Sequence, residues 1–213
     1  LNVMSQTRGS GEFLVKRVEF SKAHVDDLNK GEVVDGSPYI NEVYFPVKIA
    51  GYDGLTPAMR YHAERDEMEF LKEGKKYYVI KFDSLAIDFY GKTYKYLKFK
   101  EKDEEKSGYL VELVNAEKGK VSLFKKEKVV LYPKTEAKSG YDEAKPANYR
   151  READKFFISL SGEIRDLPKK KKELLALFPD KEKELESFMK ANKISMDDEN
   201  DLINLVKFIN TLK

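Results

Sequence analysis

The chain has 213 residues, with 40 basic against 38 acidic side chains, a formal net charge of +2, 41% hydrophobic residues and no cysteine. Near-balanced charge argues against disorder, and also against a dedicated polyanion binder, which usually carries a large basic surplus. The missing thiols exclude disulfides, thiolate nucleophiles, cysteine-ligated zinc and iron–sulfur clusters.

In chain order, Leu1-Asn2-Val3-Met4-Ser5-Gln6 reads as the end of a signal peptide. Val3 and Ser5 supply the small residues before the cut, and Gln6 becomes the mature N-terminus. Residues 1–10 are therefore expected to be a leader remnant or a disordered end, and the protein to be exported to the periplasm, the cell envelope or the medium. No apolar run approaches the roughly 18 residues of a transmembrane helix. Phe13, Val15, Val18 and Phe20 predict one irregular strand, and residues 21–41 read as loop through Asp26, Asp27, Asn29, Gly31, Asp35, Gly36 and Pro38. Residues 42–50 are rich in β-branched and aromatic side chains. Met59, Tyr61 and Ala63 then alternate with Arg60, His62 and Glu64, the period of a half-buried strand.

Arg65-Asp66 is a turn candidate before a strand at 67–71, and Glu73-Gly74 precedes another at 76–82. Leu85, Ile87 and Phe89 alternate, and Gly91-Lys92 suits a type II′ hairpin into residues 93–99. The almost wholly charged residues 100–107 predict a solvated loop. Strands at 109–114 and 120–132 flank Lys118-Gly119. Short strands at this spacing imply one domain over 11–132, an antiparallel meander curled into a sandwich or barrel. Residues 133–154, with Pro133, Gly140 and Pro146, lack periodicity and read as a linker or strap.

A short hairpin about Ser161-Gly162 follows. The period then turns helical: Leu174, Leu175 and Phe178 up to Pro179, then Leu185, Phe188 and Met189 behind a cap at Asp180 and ahead of a stop at Asn192. Leu202, Leu205, Val206, Ile209 and Leu212 form a third stripe behind a capping box of Ser195 and Asp198. Three short helices cannot hold a core alone. Residues 155–213 are therefore expected to be a β-hairpin plus a helical tail packed on the sheet. The fold class is mainly β with α (α+β).

Gly36-Ser37-Pro38-Tyr39-Ile40-Asn41-Glu42, Met59-Arg60-Tyr61 and Asp66-Glu67-Met68-Glu69-Phe70 carry a resemblance. So do Lys172-Glu173-Leu174-Leu175, Phe178-Pro179-Asp180-Lys181 and Asp201-Leu202-Ile203. Together, from Gly11 to the end, these runs resemble a pattern in a family of uncharacterised exported proteins of Gram-negative bacteria. The resemblance implies export and a β domain with a helical C-terminal tail, and it implies no activity. Where that pattern has a polar amide after the Arg-Tyr pair, this chain has His62.

Several groups invite chemistry. His62 shares a predicted strand face with Arg60 and Glu64, so a His–Glu acid–base couple is one reading and a solvent-facing polar stripe the other. His24 lies beside Asp26 and Asp27, but the two histidines lack the spacing of a transition-metal site. Asp26, Asp27, Asn29, Glu32 and Asp35 could offer oxygens to calcium and read more simply as turn residues. The basic run at 169–172 suits a solvated helix start, with the helix beginning nearer Glu173. The alternation of Lys92, Tyr94, Tyr96, Lys98 and Lys100 with their neighbours fits either base stacking or an edge strand guarded by lysines. Gly-x-Ser-x-Gly, His-Glu-x-x-His and a phosphate-cradling glycine loop are all missing from the sequence.

No catalytic residue, cofactor or metal ligand is assigned. The leading expectation is a non-catalytic exported binding or envelope-associated protein, with Tyr39, Asn41, Arg60, Tyr61 and His62 as binding residues. Its partner would be an envelope polymer, a glycan or a protein. A nucleic-acid or polyanion-binding module is the alternative, and a hydrolase using His62 and Glu64 comes third.

Overall fold

The computed structural model describes residues 34–52, 56–72, 74–116, 120–137 and 145–212. The leader-like segment, the strand expected around Phe13, the histidine at position 24 with its neighbouring acids, and the Lys118-Gly119 turn lie outside the described residues. The chain is mainly β with a few short C-terminal helices. It divides into two compact units, residues 1–96 with 127–153, and residues 97–126 with 154–213. This division does not follow the sequence reading of one β domain over 11–132. The chain changes unit in the middle of a strand, because nonlocal strand pairing defines the units and local composition carries no mark of it.

In the first unit, strands β1 (Phe45–Ile49), β2 (Ala58–His62), β3 (Glu67–Lys72), β4 (Lys75–Tyr78), β5 (Ala86–Phe89) and the start of β6 (Lys92–Glu101) pair antiparallel in the order β4-β3-β2-β1-β5-β6. The strand at β4 stops at Tyr78, short of the expected residue 82. Phe45, Met59, Phe70 and Tyr77 occupy one rung across β1 to β4, while Ile49, Ile87 and Tyr94 share another across β1, β5 and β6. Period-2 alternation puts these apolar side chains on a common face, where Met59, Ile87 and Tyr94 are buried.

The β5–β6 hairpin turns on Tyr90 and Gly91, both at positive φ (+51° and +74°), with Phe89 opposite Lys92. That is a type I′ turn one residue earlier than the Gly91-Lys92 turn expected from sequence. Gly36 also sits at positive φ, and a Cβ there would lie 2.6 Å from the Tyr149 carbonyl oxygen. Only glycine lets the two backbones approach so closely. Where a strap was expected, β9 (Val129–Tyr132) and β10 (Asn148–Arg151) form an antiparallel ribbon.

The second unit is a five-stranded closed barrel. The end of β6, then β7 (Glu104–Val114), β8 (Ser122–Lys126), β11 (Lys155–Leu160) and β12 (Glu163–Asp166) follow one another, and β12 closes on β6 in parallel at Arg165 and Lys100. An odd number of up-and-down strands must meet in one parallel seam. Residues 100–107 are a tight hairpin and not a solvated loop: Lys102 and Asp103 turn at φ +51° and +65° between β6 and β7. Their charge is matched across strands. Burial pushes the Glu101 carboxyl up, but Lys106 at 2.7 Å and Lys155 overcome that and hold it down at about 2.

Inside the barrel lie Phe99, Leu110, Phe124 and Phe157. Their chain neighbours Leu123 and Ile158 point the other way and join a second cluster with helices α1 (Lys171–Leu175), α2 (Glu182–Ala191) and α3 (Glu199–Ile209). Leu174, Leu185, Leu202 and Leu205 are each at most 1% exposed in that cluster, so the amphipathic stripes read from the sequence meet one wall of the barrel. The helix starts differ from expectation. Asp198, not Ser195, caps α3, accepting from the Asp201 amide at 2.9 Å, while the Asp201 carboxylate accepts from the Ser195 amide. Pro179 opens a 3-10 turn (Pro179–Lys181) that contains Asp180, and α1 starts at Lys171 despite its cations. Among the described residues no helix is long and apolar enough to cross a membrane.

Candidate functional site

The register of the first sheet makes a polar cluster. Arg60, Glu69 and Tyr78 face one another on a single rung across β2, β3 and β4, on the face opposite Met59, Phe70 and Tyr77. The segment before β1 lays Tyr39 and Tyr44 over that rung. The Glu69 carboxylate, fully buried, accepts from Arg60 Nε at 2.8 Å, from the Tyr39 and Tyr78 hydroxyls at 3.0 Å each, and from the Tyr44 hydroxyl. The Arg60 guanidinium lies 3.6 Å from the Tyr39 ring centroid and 4.5 Å from that of Tyr44, and donates further to the Tyr39 hydroxyl and the Glu42 carbonyl.

Burial pushes the Glu69 carboxyl up, but the bonds from Tyr44, Arg60 and Tyr78 more than offset this, and its pKa falls below the usual range. Burial and then the Glu69 charge push the Tyr39 hydroxyl well up. The hydroxyls of Tyr39, Tyr44 and Tyr78 and the Arg60 Nε all donate to Glu69, so the cluster acts as a clamp around a carboxylate that already holds four hydrogen bonds.

Of the five residues expected to bind, Tyr39 and Arg60 meet in this clamp. His62 borders it, with its ring edge-on to Tyr39 at 4.8 Å. Asn41 stands apart, half-buried in the segment before β1, its side chain accepting from the Val43 amide at 3.0 Å. Tyr61 points into the core beside Tyr94, and its hydroxyl donates to Asp66 at 2.5 Å.

His62 Nδ1 accepts from the Arg65 amide at 3.3 Å, which puts the ring proton on Nε2, and lies 4.0 Å from Glu64. Burial first, then the Arg65 guanidinium, lower its pKa to about 4. The imidazole is thus neutral, 5% exposed and committed at Nδ1, not poised in a cleft with Glu64. This yields a pH signature. The unfolded imidazole protonates near 6.5 and the folded one near 4, so its contribution to stability is complete above pH 6.5 and is lost as the pH falls toward 4. Wild type is expected to lose on the order of 1–2 kcal/mol more than His62→Asn between pH 6.5 and 4.5, read by urea denaturation at each pH. Glu67, opposite His62, is raised by burial and works in the other direction. The difference between the two proteins isolates the imidazole, and parallel curves would refute its burial as a neutral ring.

Two further buried charges escaped the sequence reading because they sit among lysines that look solvated. Glu127, 2% exposed, accepts from Lys92 at 2.6 Å and from the Tyr94 hydroxyl. In the second unit Lys125, 6% exposed, bonds Glu199 at the start of α3 and lies 3.4 Å from Asp154. The Lys/Tyr strand is drawn into the same work: Tyr94 and Phe99 are buried, Lys100 pairs with Glu163 at 2.6 Å, and Tyr96 lies under Lys81. Lys170 of the later basic run pairs with Glu173 at 2.9 Å. Among the described residues no group of three His, Asp or Glu side chains could hold a metal ion.

A concave feature lies in the second unit, a groove of about 390 Å³ between the barrel and the helices. Val121 enters it from just before β8, Leu160 from the end of β11, Leu177 and Phe178 from the segment before the 3-10 turn, Ile209 from the last residue of α3 and Leu212 from just beyond it. Asn210 pins this end of the helix by accepting from the Val121 amide and donating to its carbonyl, both at 2.8 Å. Ser161, Lys120, Arg165 and Lys181 complete the lining. No local pattern announces the groove, since its walls come from separate stretches of the chain. Comparison of the chain with protein-family models, with curated proteins and with solved structures finds no match.

Proposed function

We propose that the protein is a non-catalytic binding protein that is exported to the periplasm or cell envelope. The groove carries the binding part of this reading: it is concave, its volume falls in the range of small-molecule sites, and six apolar and five polar side chains line it together. The state of the titratable groups supports it, because His62 is neutral and covered and Glu69 is saturated, so neither offers a proton to a substrate. Export rests on the leader-like run from Leu1 to Gln6 and on the family resemblance. An envelope polymer, a glycan or a secreted protein then becomes the expected partner.

Fractionating a Gram-negative host that expresses the full open reading frame tests location. A mature chain beginning near Gln6 outside the cytoplasm is the expected result, and an uncleaved cytosolic protein sinks export. Exposing the purified protein to an envelope extract, followed by native mass spectrometry, tests binding. A retained species is expected. If every extract leaves the protein empty and its groove methyl signals unmoved in NMR spectra, the binding reading fails.

A further inference from the structure

Resting on the binding reading, the geometry points to a free medium-chain carboxylate, a fatty-acid-type anion, as the groove's ligand. The lining holds three cations, Lys120, Arg165 and Lys181, and no acidic residue. Lys120 and Arg165 are exposed, and neither forms an ion pair with a carboxylate among the described residues. Of the acids near Arg165, Glu163 pairs with Lys100 at 2.6 Å while also feeling the Arg165 charge, and Asp166 accepts from the Lys102 amide at 2.6 Å. Lys181 donates to the Leu212 carbonyl at 2.8 Å and keeps further N–H donors for an anion.

Beside these charges the lining has six apolar side chains, with Ser161 and Asn210 as its neutral polar members, and it reaches the core, since Val121 and Ile209 also belong to the buried cluster that joins barrel and helices. A ligand that satisfies both parts needs one compact negative head and one flexible hydrocarbon tail. A polyanion would neutralise the cations and leave the apolar side chains wet. A neutral apolar molecule would cover those side chains and leave the cations unanswered. The carboxylate sits at the cationic mouth while the tail lies over Leu160, Leu177 and Phe178. Each methylene buried there should tighten binding about fourfold until the groove is full.

The test is calorimetric titration of the full chain with decanoate below its micelle threshold, with methyl NMR to place the tail. Decanoate is expected to bind at least tenfold tighter than hexanoate and to shift the Leu160, Leu177 and Leu212 methyls. Affinity should weaken with added salt, because the head meets exposed cations. Arg165→Glu and Lys120→Glu, both at exposed positions, should each weaken decanoate at least fivefold. Equal binding of decyltrimethylammonium, unchanged affinity in both variants, or shifts confined to other methyls would overturn the assignment. If decanoate fails while an extract-derived species still moves the groove methyls, this inference falls and the binding reading stands. If neither binds, both fall.

Discussion

Replacing Glu69 by alanine is expected to cost about 3–5 kcal/mol of folding stability, among the largest losses any single substitution in this chain should produce. Removing the carboxylate leaves the Arg60 guanidinium, whose side chain is only 14% exposed, with an uncompensated charge between two aromatic rings. It also strips an acceptor from the hydroxyls of Tyr39, Tyr44 and Tyr78. Urea denaturation of Glu69→Ala against wild type measures the loss, and a value under about 1 kcal/mol would mean that water already serves these donors.

A double substitution, Arg60→Met with Glu69→Leu, should recover much of the deficit, since the penalty comes from the orphaned charge and not from the missing pair as such. Acid should reproduce part of the effect. The Glu69 pKa is lowered in the folded chain, so its contribution is present above the ordinary carboxylate value near 4.5 and is lost as the pH falls through the folded value.

The second large effect belongs to the barrel. Phe157→Ala should destabilise by about 3–5 kcal/mol, through lost apolar burial and the cavity that remains. The ring is fully buried, meets Phe99 edge-on at 4.8 Å and packs with Leu110 and Phe124. A closed barrel wall cannot collapse into the void without breaking strand pairs. Thermal melting of the variant, with Tyr132→Ala as an exposed comparison, checks this. If the two variants melt together, Phe157 is not the packing centre these contacts describe. Ile158→Ala should act by another route, because that side chain faces the helices instead of the barrel interior.

Much of this architecture was legible because local chemistry dictates it. Alternation around Met59, Tyr61 and Ile87 announced strands, Ser161-Gly162 announced a hairpin, and the stripe from Leu202 to Ile209 announced a helix that needed a wall. The turn at Tyr90-Gly91 was misplaced by one residue because a bulky tyrosine at positive φ runs against residue preference, and the pairing of Phe89 with Lys92 imposes it. The hairpin at Lys102-Asp103 was taken for open loop because a run of charges looks solvated until the strands that neutralise it are known.

The sites were legible only in fragments. Tyr39 and Arg60 stand out in the sequence, but Glu69, which binds both, appears there only as one residue of the run from Asp66 to Phe70, with no role attached. Alternation names two faces of a strand and cannot say that a distant segment covers the second. By itself the sequence determined what each stretch must bury, the period at which it does so, and the absence of thiol chemistry. Tertiary structure alone decided which charges face one another, that the second unit closes through the parallel seam of Arg165 and Lys100, and that separate stretches line a groove where three cations meet apolar side chains. Register and closure bring together residues far apart in the chain, and no local pattern encodes such a distance.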